Sequence, residues 1–184
     1  MEEQIRKLTK LVIWLSIIVF VICLAFRRPI TYKGYFSCIE STVSVVTVFF
    51  IMYERVLWRY IPWNRPPVLR KSYSGVIKYL DKDIPKEKHI DIKIKQTFFS
   101  VCIETKTDIN SSYTIMSSIV KEHDNYVLYY TYITDPDAVV QQSNPIQFGT
   151  CRMVLNKKND ILRGKYWTTR RSIGDIEWRA ENVF

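Results

Sequence analysis

The segment ILRGKYWTTRRSIGDIEWR, residues 161–179, orders its side chains in a way that could hold an anion beside a ring. As an extended strand it places Leu162, Gly164, Tyr166, Thr168 and Arg170 on one face, and Arg163, Lys165, Trp167, Thr169 and Arg171 on the other. The second set carries most of the charge and is expected to face outward. The first set is then an interior row that begins apolar and ends in a hydroxyl and a guanidinium. A guanidinium fork chelates phosphate oxygens and a phenol ring stacks on a base. Tyr166, Thr168 and Arg170 are therefore candidate ligand-binding residues, with Arg170 nearest the phosphates. On the residues alone a plain alternative stays open, in which Arg170 is a strand-end charge and Tyr166 is core packing. Arg152 and Tyr130 are further candidates. Pairing of Leu155 with Leu162 across NKKND would turn Arg152 outward, and a one-residue slip would turn it inward. Tyr130 lies in YVLYYTYIT, which has tyrosines on both faces.

Catalytic chemistry has little to work with. His89 and His123 sit in polar, turn-like contexts and are expected to face solvent. There is no glycine-rich phosphate loop before a helix, no nucleophile elbow and no metal-ligand spacing. The four cysteines lack the paired spacing of a disulfide framework or a zinc site. The chain is expected to be no enzyme and to carry no metal or cofactor. Its basic balance, 27 Lys and Arg against 18 Asp and Glu, net +9 with a pI near 9.4, would in a soluble protein point to nucleic acid. From Leu69 onward, however, 18 basic residues meet 14 acidic ones, so more than half of the excess lies in the first 65 residues. The basicity reflects membrane topology, and no DNA or RNA polymer is expected as a partner.

The candidate residues need a scaffold, and residues 66–184 alternate with a period of two. In HIDIKIK, Ile90, Ile92 and Ile94 share one face; the phase then slips to Phe99, Val101 and Ile103, which predicts a bend or bulge near Gln96 and Thr97. Further strands are expected over 73–79, 112–120, 125–134, 146–155, 161–170 and 175–179. The turn clusters DKDIPKEK, TDINSS, EHDN, TDPDAVVQQSNP, NKKND and RSIG separate them. Seven or eight short strands with hairpin-length connections predict an all-β domain, a small antiparallel, lipocalin-like barrel of about eight strands. Closure removes exposed edges, and the interior at that size holds one small ligand.

The first 65 residues are of another kind. LVIWLSIIVFVICLAF, Leu11 to Phe26, and the block from Tyr35 to Tyr53 are joined by RRPITYKG. About 20 residues cross a bilayer core, so spans over about 8–27 and 35–55 predict a two-helix transmembrane hairpin. A signal peptide fits poorly, because no small-x-small triplet closes the first run. A buried soluble helix pair is the other alternative. Arg6, Lys7 and Lys10 precede the hairpin, and Arg55, Arg59, Arg65, Arg70 and Lys71 follow it, against Arg27, Arg28 and Lys33 in the loop. That bias predicts both termini, and the barrel, on the cytoplasmic side of a multi-pass membrane protein. Pro62, Pro66 and Pro67 stiffen the linker, where Trp58, Tyr60 and Trp63 would form an aromatic belt. Within the second span, Ser37, Glu40, Ser41, Ser44 and Thr47 recur at steps of three or four and form a polar stripe. An acid facing lipid is costly, so this stripe is expected against another helix or a wet cavity. It either packs on the first span, with Glu40 reaching toward the interface or pairing with Arg28 or Lys33, or faces copies of itself in an oligomer.

A basic two-helix hairpin, a Pro-rich linker and a barrel containing KQTFFSVCIET and ending GTCRMVLNKKNDILRGKYWTTRRSIGDI together resemble the two-transmembrane β-barrel effectors of bacterial CBASS anti-phage systems. The resemblance covers essentially the whole chain. It implies a cyclic dinucleotide ligand in the barrel, made by a partner nucleotidyltransferase of the CD-NTase type during infection. It also implies residence in the bacterial inner membrane and a ligand-induced homo-oligomer that disrupts the lipid bilayer and kills the infected cell. A membrane-tethered lipid or small-ligand carrier without effector activity is the alternative, and would want an apolar interior without Arg170.

Overall fold

The computed structural model describes residues 2–61, 66–81, 84–107, 110–136 and 145–181. Trp63 of the expected belt and residues 137–144 of the TDPDAVVQQSNP cluster lie outside them. The chain forms two compact units, Met1–Pro66 and Pro67–Phe184.

The first unit is a pair of helices, α1 (Glu2–Arg27) and α2 (Tyr32–Arg55), followed by a short 3-10 turn at Leu57–Arg59. Ile5–Arg27 and Tyr32–Arg55 are both long and apolar enough to cross a membrane. The second helix begins before Tyr35 and takes in Lys33, because Pro29 stops α1 closely and Gly34 allows the chain to return tightly against the Pro29 ring. The two helices pack along a seam of Cys38, Thr42, Val46 and Tyr53 on α2 and Leu8 on α1, while most of the remaining apolar surface is exposed, as suits lipid rather than water. Trp58 is fully buried rather than set in a belt, whereas Tyr60 is exposed.

The second unit is a closed antiparallel meander of eight strands: β1 (Ser72–Asp81), β2 (Ile84–Gln96), β3 (Val101–Lys106), β4 (Asn110–Glu122), β5 (Asn125–Pro136), β6 (Gln147–Leu155), β7 (Ile161–Thr168) and β8 (Ile173–Ala180). Each strand pairs with its sequence neighbour, and β1 pairs with β8, with Tyr73 opposite Ala180, to close the barrel. The phase slip after Ile94 is a hairpin turn, not a bulge. Gln96 faces Val101, and Thr97 N–H donates to the Ser100 carbonyl at 2.9 Å. Partners share a face, so even-numbered inward residues of β2 meet odd-numbered ones of β3. The bulge lies elsewhere, in β4 between Thr114 and Met116. It turns Ile115 and Met116 outward together.

The two ends of the barrel differ. At one end the interior is a solid core of Tyr73, Ile92, Ile94, Leu128, Met153, Leu155, Leu162 and Trp178. Residues 67–71 cross beneath it as a strap. The buried Gln96 side chain accepts from Leu69 N–H at 2.9 Å and donates to the Pro67 carbonyl at 2.8 Å. The Tyr73 hydroxyl accepts from Arg70 N–H at 2.9 Å and donates to the Asn159 carbonyl at 2.7 Å. A column of rings then climbs the axis, with centroid distances of 6.2 Å from Tyr73 to Trp178, 5.6 Å from Trp178 to Tyr130 and 5.6 Å from Tyr130 to Tyr132. Above Tyr130 the core gives way to a cavity.

A polar cavity at the open end of the barrel

The cavity has a volume of about 510 Å³, within the range of small-ligand sites. Its floor is Ile90, Tyr130, Cys151 and Ile176, and its wall carries Tyr79, Tyr132 and Tyr166. Toward the mouth it becomes polar, with the hydroxyls of Thr105, Ser112, Thr134 and Thr168, the amides of Asn110 and Gln147, and two cations, Lys88 and Arg170. Two of its polar atoms, Gln147 Oε1 and Thr168 Oγ1, are buried without a hydrogen-bond partner among the described residues. Buried polar atoms are rarely left so, and a ligand in the cavity would supply what they lack.

Glycines hold two of the tyrosine rings flat against the wall. Gly149 faces Tyr132 across β5 and β6, and a Cβ at 149 would collide with the Tyr132 ring. Gly174 faces Tyr166 across β7 and β8, and a Cβ there would meet both the Lys78 carbonyl and the Tyr166 ring. Strand glycines commonly mark such close approaches. Here they clear the space between the rings.

Burial fixes the protonation of this wall. The Cys151 thiol is pushed up from near 9.0 to about 12, and the Tyr166 phenol from 10.0 to about 12, each chiefly by loss of water. Burial raises Tyr130 and Tyr132 as well. The phenols therefore remain neutral donors and acceptors at physiological pH, and Lys88 and Arg170 supply the charge.

Of the residues singled out in the sequence, Tyr130, Tyr166, Thr168 and Arg170 all line this cavity. Arg170 does so from the turn after β7, not from the strand: β7 ends at Thr168, whose N–H donates to the Ser172 carbonyl at 3.0 Å. Arg152 does not line it. Leu155 pairs with Leu162, so Arg152 lies on the outer wall, where its guanidinium donates to Glu122 at 2.6 Å and to the Tyr129 hydroxyl at 2.9 Å. Both histidines are exposed. Lys88, Tyr132 and Gln147 were not singled out. Lys88 continues the even-numbered row of Ile90, Ile92 and Ile94, and Tyr132 shares a face with Tyr130, so both were within reach of the parity argument.

The polar stripe on α2 is not the helix seam. Glu40, Ser44 and Thr47 are exposed and Ser37 and Ser41 half-buried. The Ser41 and Ser44 hydroxyls donate to the carbonyls four residues back, each at 2.9 Å. Ser37 Oγ accepts from Arg27 at 2.8 Å, the stripe's one contact of this kind with α1 among the described residues. Glu40 has no ion-pair partner there. Packing on the first span is thus taken over by the neighbouring row from Cys38 to Tyr53.

An eight-stranded meander barrel, plugged at one end and open at the other onto tyrosines, hydroxyls and two cations, has the build of a receptor for a small polar ligand. Residues 66–180 match the family described as Cap15, cyclic dinucleotide receptor domain, and the chain belongs to that family of CBASS proteins. It is 32% identical over 179 residues to CD-NTase-associated protein 15 of Staphylococcus schleiferi, covering 96% of this chain and 97% of that one. It is 23% identical over 171 residues to CD-NTase-associated protein 15 of Escherichia albertii, covering 85% of this chain and 81% of that one.

Proposed function

We propose that this protein is a non-enzymatic antiviral effector of the inner membrane whose barrel binds a cyclic dinucleotide at its open end. Occupancy gathers the hairpins of several copies, the α2 stripes face one another, and the bilayer is disrupted. The ligand comes from a partner nucleotidyltransferase, and both termini lie in the cytoplasm. The observation that carries the reading is the cavity itself. Its mouth offers Arg170 and Lys88 to phosphates, its wall offers rings to bases, and Gln147 and Thr168 have buried polar atoms awaiting partners. A lipid carrier would want an apolar lining in place of these groups.

Thermal unfolding of the purified chain tests it. A cyclic dinucleotide at a hundredfold excess over its dissociation constant should stabilise the barrel by about 3 kcal/mol. Linear dinucleotides and ATP at the same concentration should do much less. If no member of a panel of cyclic dinucleotides raises the melting temperature, the ligand assignment fails; if a fatty acid raises it instead, the carrier reading takes its place.

A further inference from the structure

We propose that the plugged end of the barrel is a docking surface for anionic phospholipid headgroups. The end of the barrel that the linker enters is basic. The segments that turn at the plugged end, 67–71, 95–101, 121–125, 156–160 and 179–181, carry seven basic residues against four acidic ones. The plugged end therefore carries a positive excess of its own. Internal pairing does not consume it. Glu122 is taken by Arg152 from the wall and Arg179 by Glu177. Arg70, Lys71, Lys95, Lys121, Lys157 and Lys158 remain exposed, opposed by Asp124, Asp160 and Glu181.

Apolar groups stand among these cations. Phe99, in the turn between β2 and β3, is 42% exposed, and Val120 and Tyr126, beside the turn between β4 and β5, are 39% and 37% exposed. Lysines around a protruding aromatic are the chemistry of a membrane-surface contact, in which the ring enters the headgroup layer and the ammonium groups meet phosphates. Bound nucleic acid would want the cations in a groove with stacked rings, whereas these lie on separate turns around a plugged end. The strap begins twelve residues after Arg55, so the bilayer that holds the hairpin is the anionic surface always at hand. The inference rests on the membrane reading of the hairpin and is independent of the ligand. Docking by this end leaves the mouth, at the other end of the strands, open to solution.

Cys102 offers a reporter. It is exposed and pairs with Lys95 near the plugged end, whereas Cys38 and Cys151 are buried. An environment-sensitive dye on Cys102, in full-length protein carrying Cys23→Ala, is read in phosphatidylcholine vesicles with and without about a third phosphatidylglycerol. We expect a brighter, blue-shifted emission only with phosphatidylglycerol, reversed at about 0.5 M salt, where surface attractions are screened. A dye at Ile173→Cys, at the mouth in a Cys102→Ser background, should not respond. The quadruple variant Lys95→Gln, Lys121→Gln, Lys157→Gln, Lys158→Gln should lose the response, each lysine being worth roughly fivefold in surface affinity. Equal emission in the two lipids, or a response at 173 instead of 102, overturns the docking surface while the hairpin reading stands. Protein that floats with neither vesicle overturns both. Binding to a single-stranded RNA homopolymer with no lipid response would also overturn it and assign the patch to nucleic acid.

Discussion

Tyr132 and Gly149 face each other across β5 and β6, and the ring lies where a side chain at 149 would be. The contact is with the far end of a tyrosine side chain, so Gly149→Ala can be accommodated only by swinging that ring into the cavity. Overpacking of this kind costs about 1–3 kcal/mol. Here it falls mainly on the ligand, and we expect cyclic dinucleotide affinity to drop about tenfold or more, with restoration toward wild type when Tyr132→Leu is added. Calorimetric titration of both variants checks this, and unchanged affinity in Gly149→Ala would remove Tyr132 from the site. The cations make a cleaner contrast. A hydrogen bond to a charged group is worth about 1.5–3 kcal/mol, so Arg170→Ala and Lys88→Gln should each weaken binding by an order of magnitude or more. Arg152→Gln should not, because that side chain is on the outer wall. Its solvent-exposed pair with Glu122 should contribute little to stability. If Arg152→Gln weakens binding while Arg170→Ala leaves it intact, the ligand does not occupy this cavity.

The strands of the barrel were legible wherever their inner face is apolar and obscure where it is not. Ile90, Ile92 and Ile94 announce the lower half of β2, but the strand begins at Ile84, and its upper half has Lys88 in the inward row. Alternation of hydrophobicity is the sequence signal. It fades at the mouth because a wet cavity removes the reason for apolar residues there. The same effect hid Gln147, while the tyrosine-rich β5 showed its period but not its face. Register was legible only as a choice: Arg152 turned on a one-residue slip that Leu155 and Leu162 decide by packing together. The hairpin loop at Gln96 imitated a bulge because both produce the same change of parity. On α2 the periodicity was clear, but a helix of 3.6 residues per turn brings adjacent rows within one step of each other. The seam took Cys38, Thr42 and Val46 and left Glu40, Ser44 and Thr47 exposed. Should that exposed row be the oligomer surface, replacing Glu40, Ser44 and Thr47 together by Leu leaves ligand binding intact and abolishes ligand-dependent dye leakage from liposomes. Leakage at the original level would assign membrane disruption to another surface.

At the scale of the whole chain, a domain with its own closed ladder and core should fold without the hairpin. A chain beginning at Pro66 is expected to bind ligand and to be harmless to cells, while the full-length protein is toxic only when ligand is present. Its stability should carry a signature of the buried site. Cys151, Tyr130, Tyr132 and Tyr166 all have their acid forms favoured by burial in the folded barrel. The folded state therefore holds protons that the unfolded chain releases at ordinary values, near 9.0 for the thiol and 10.0 for the phenols. By linkage the stabilisation is fully present below those values and is lost as pH rises toward the folded ones, about 12 for Cys151 and Tyr166. Melting temperature should be level with respect to these groups between about pH 7 and 8.5, fall beyond it as the thiol begins to contribute, and fall more steeply once the phenols join. Cys151→Val removes the first of these and should delay the onset by about one pH unit. An onset that does not move in that variant would mean that other groups govern the alkaline limb. A melting temperature that rises through the same interval would contradict the buried, neutral state of the cavity wall on which both the tyrosine geometry and the proposed site depend.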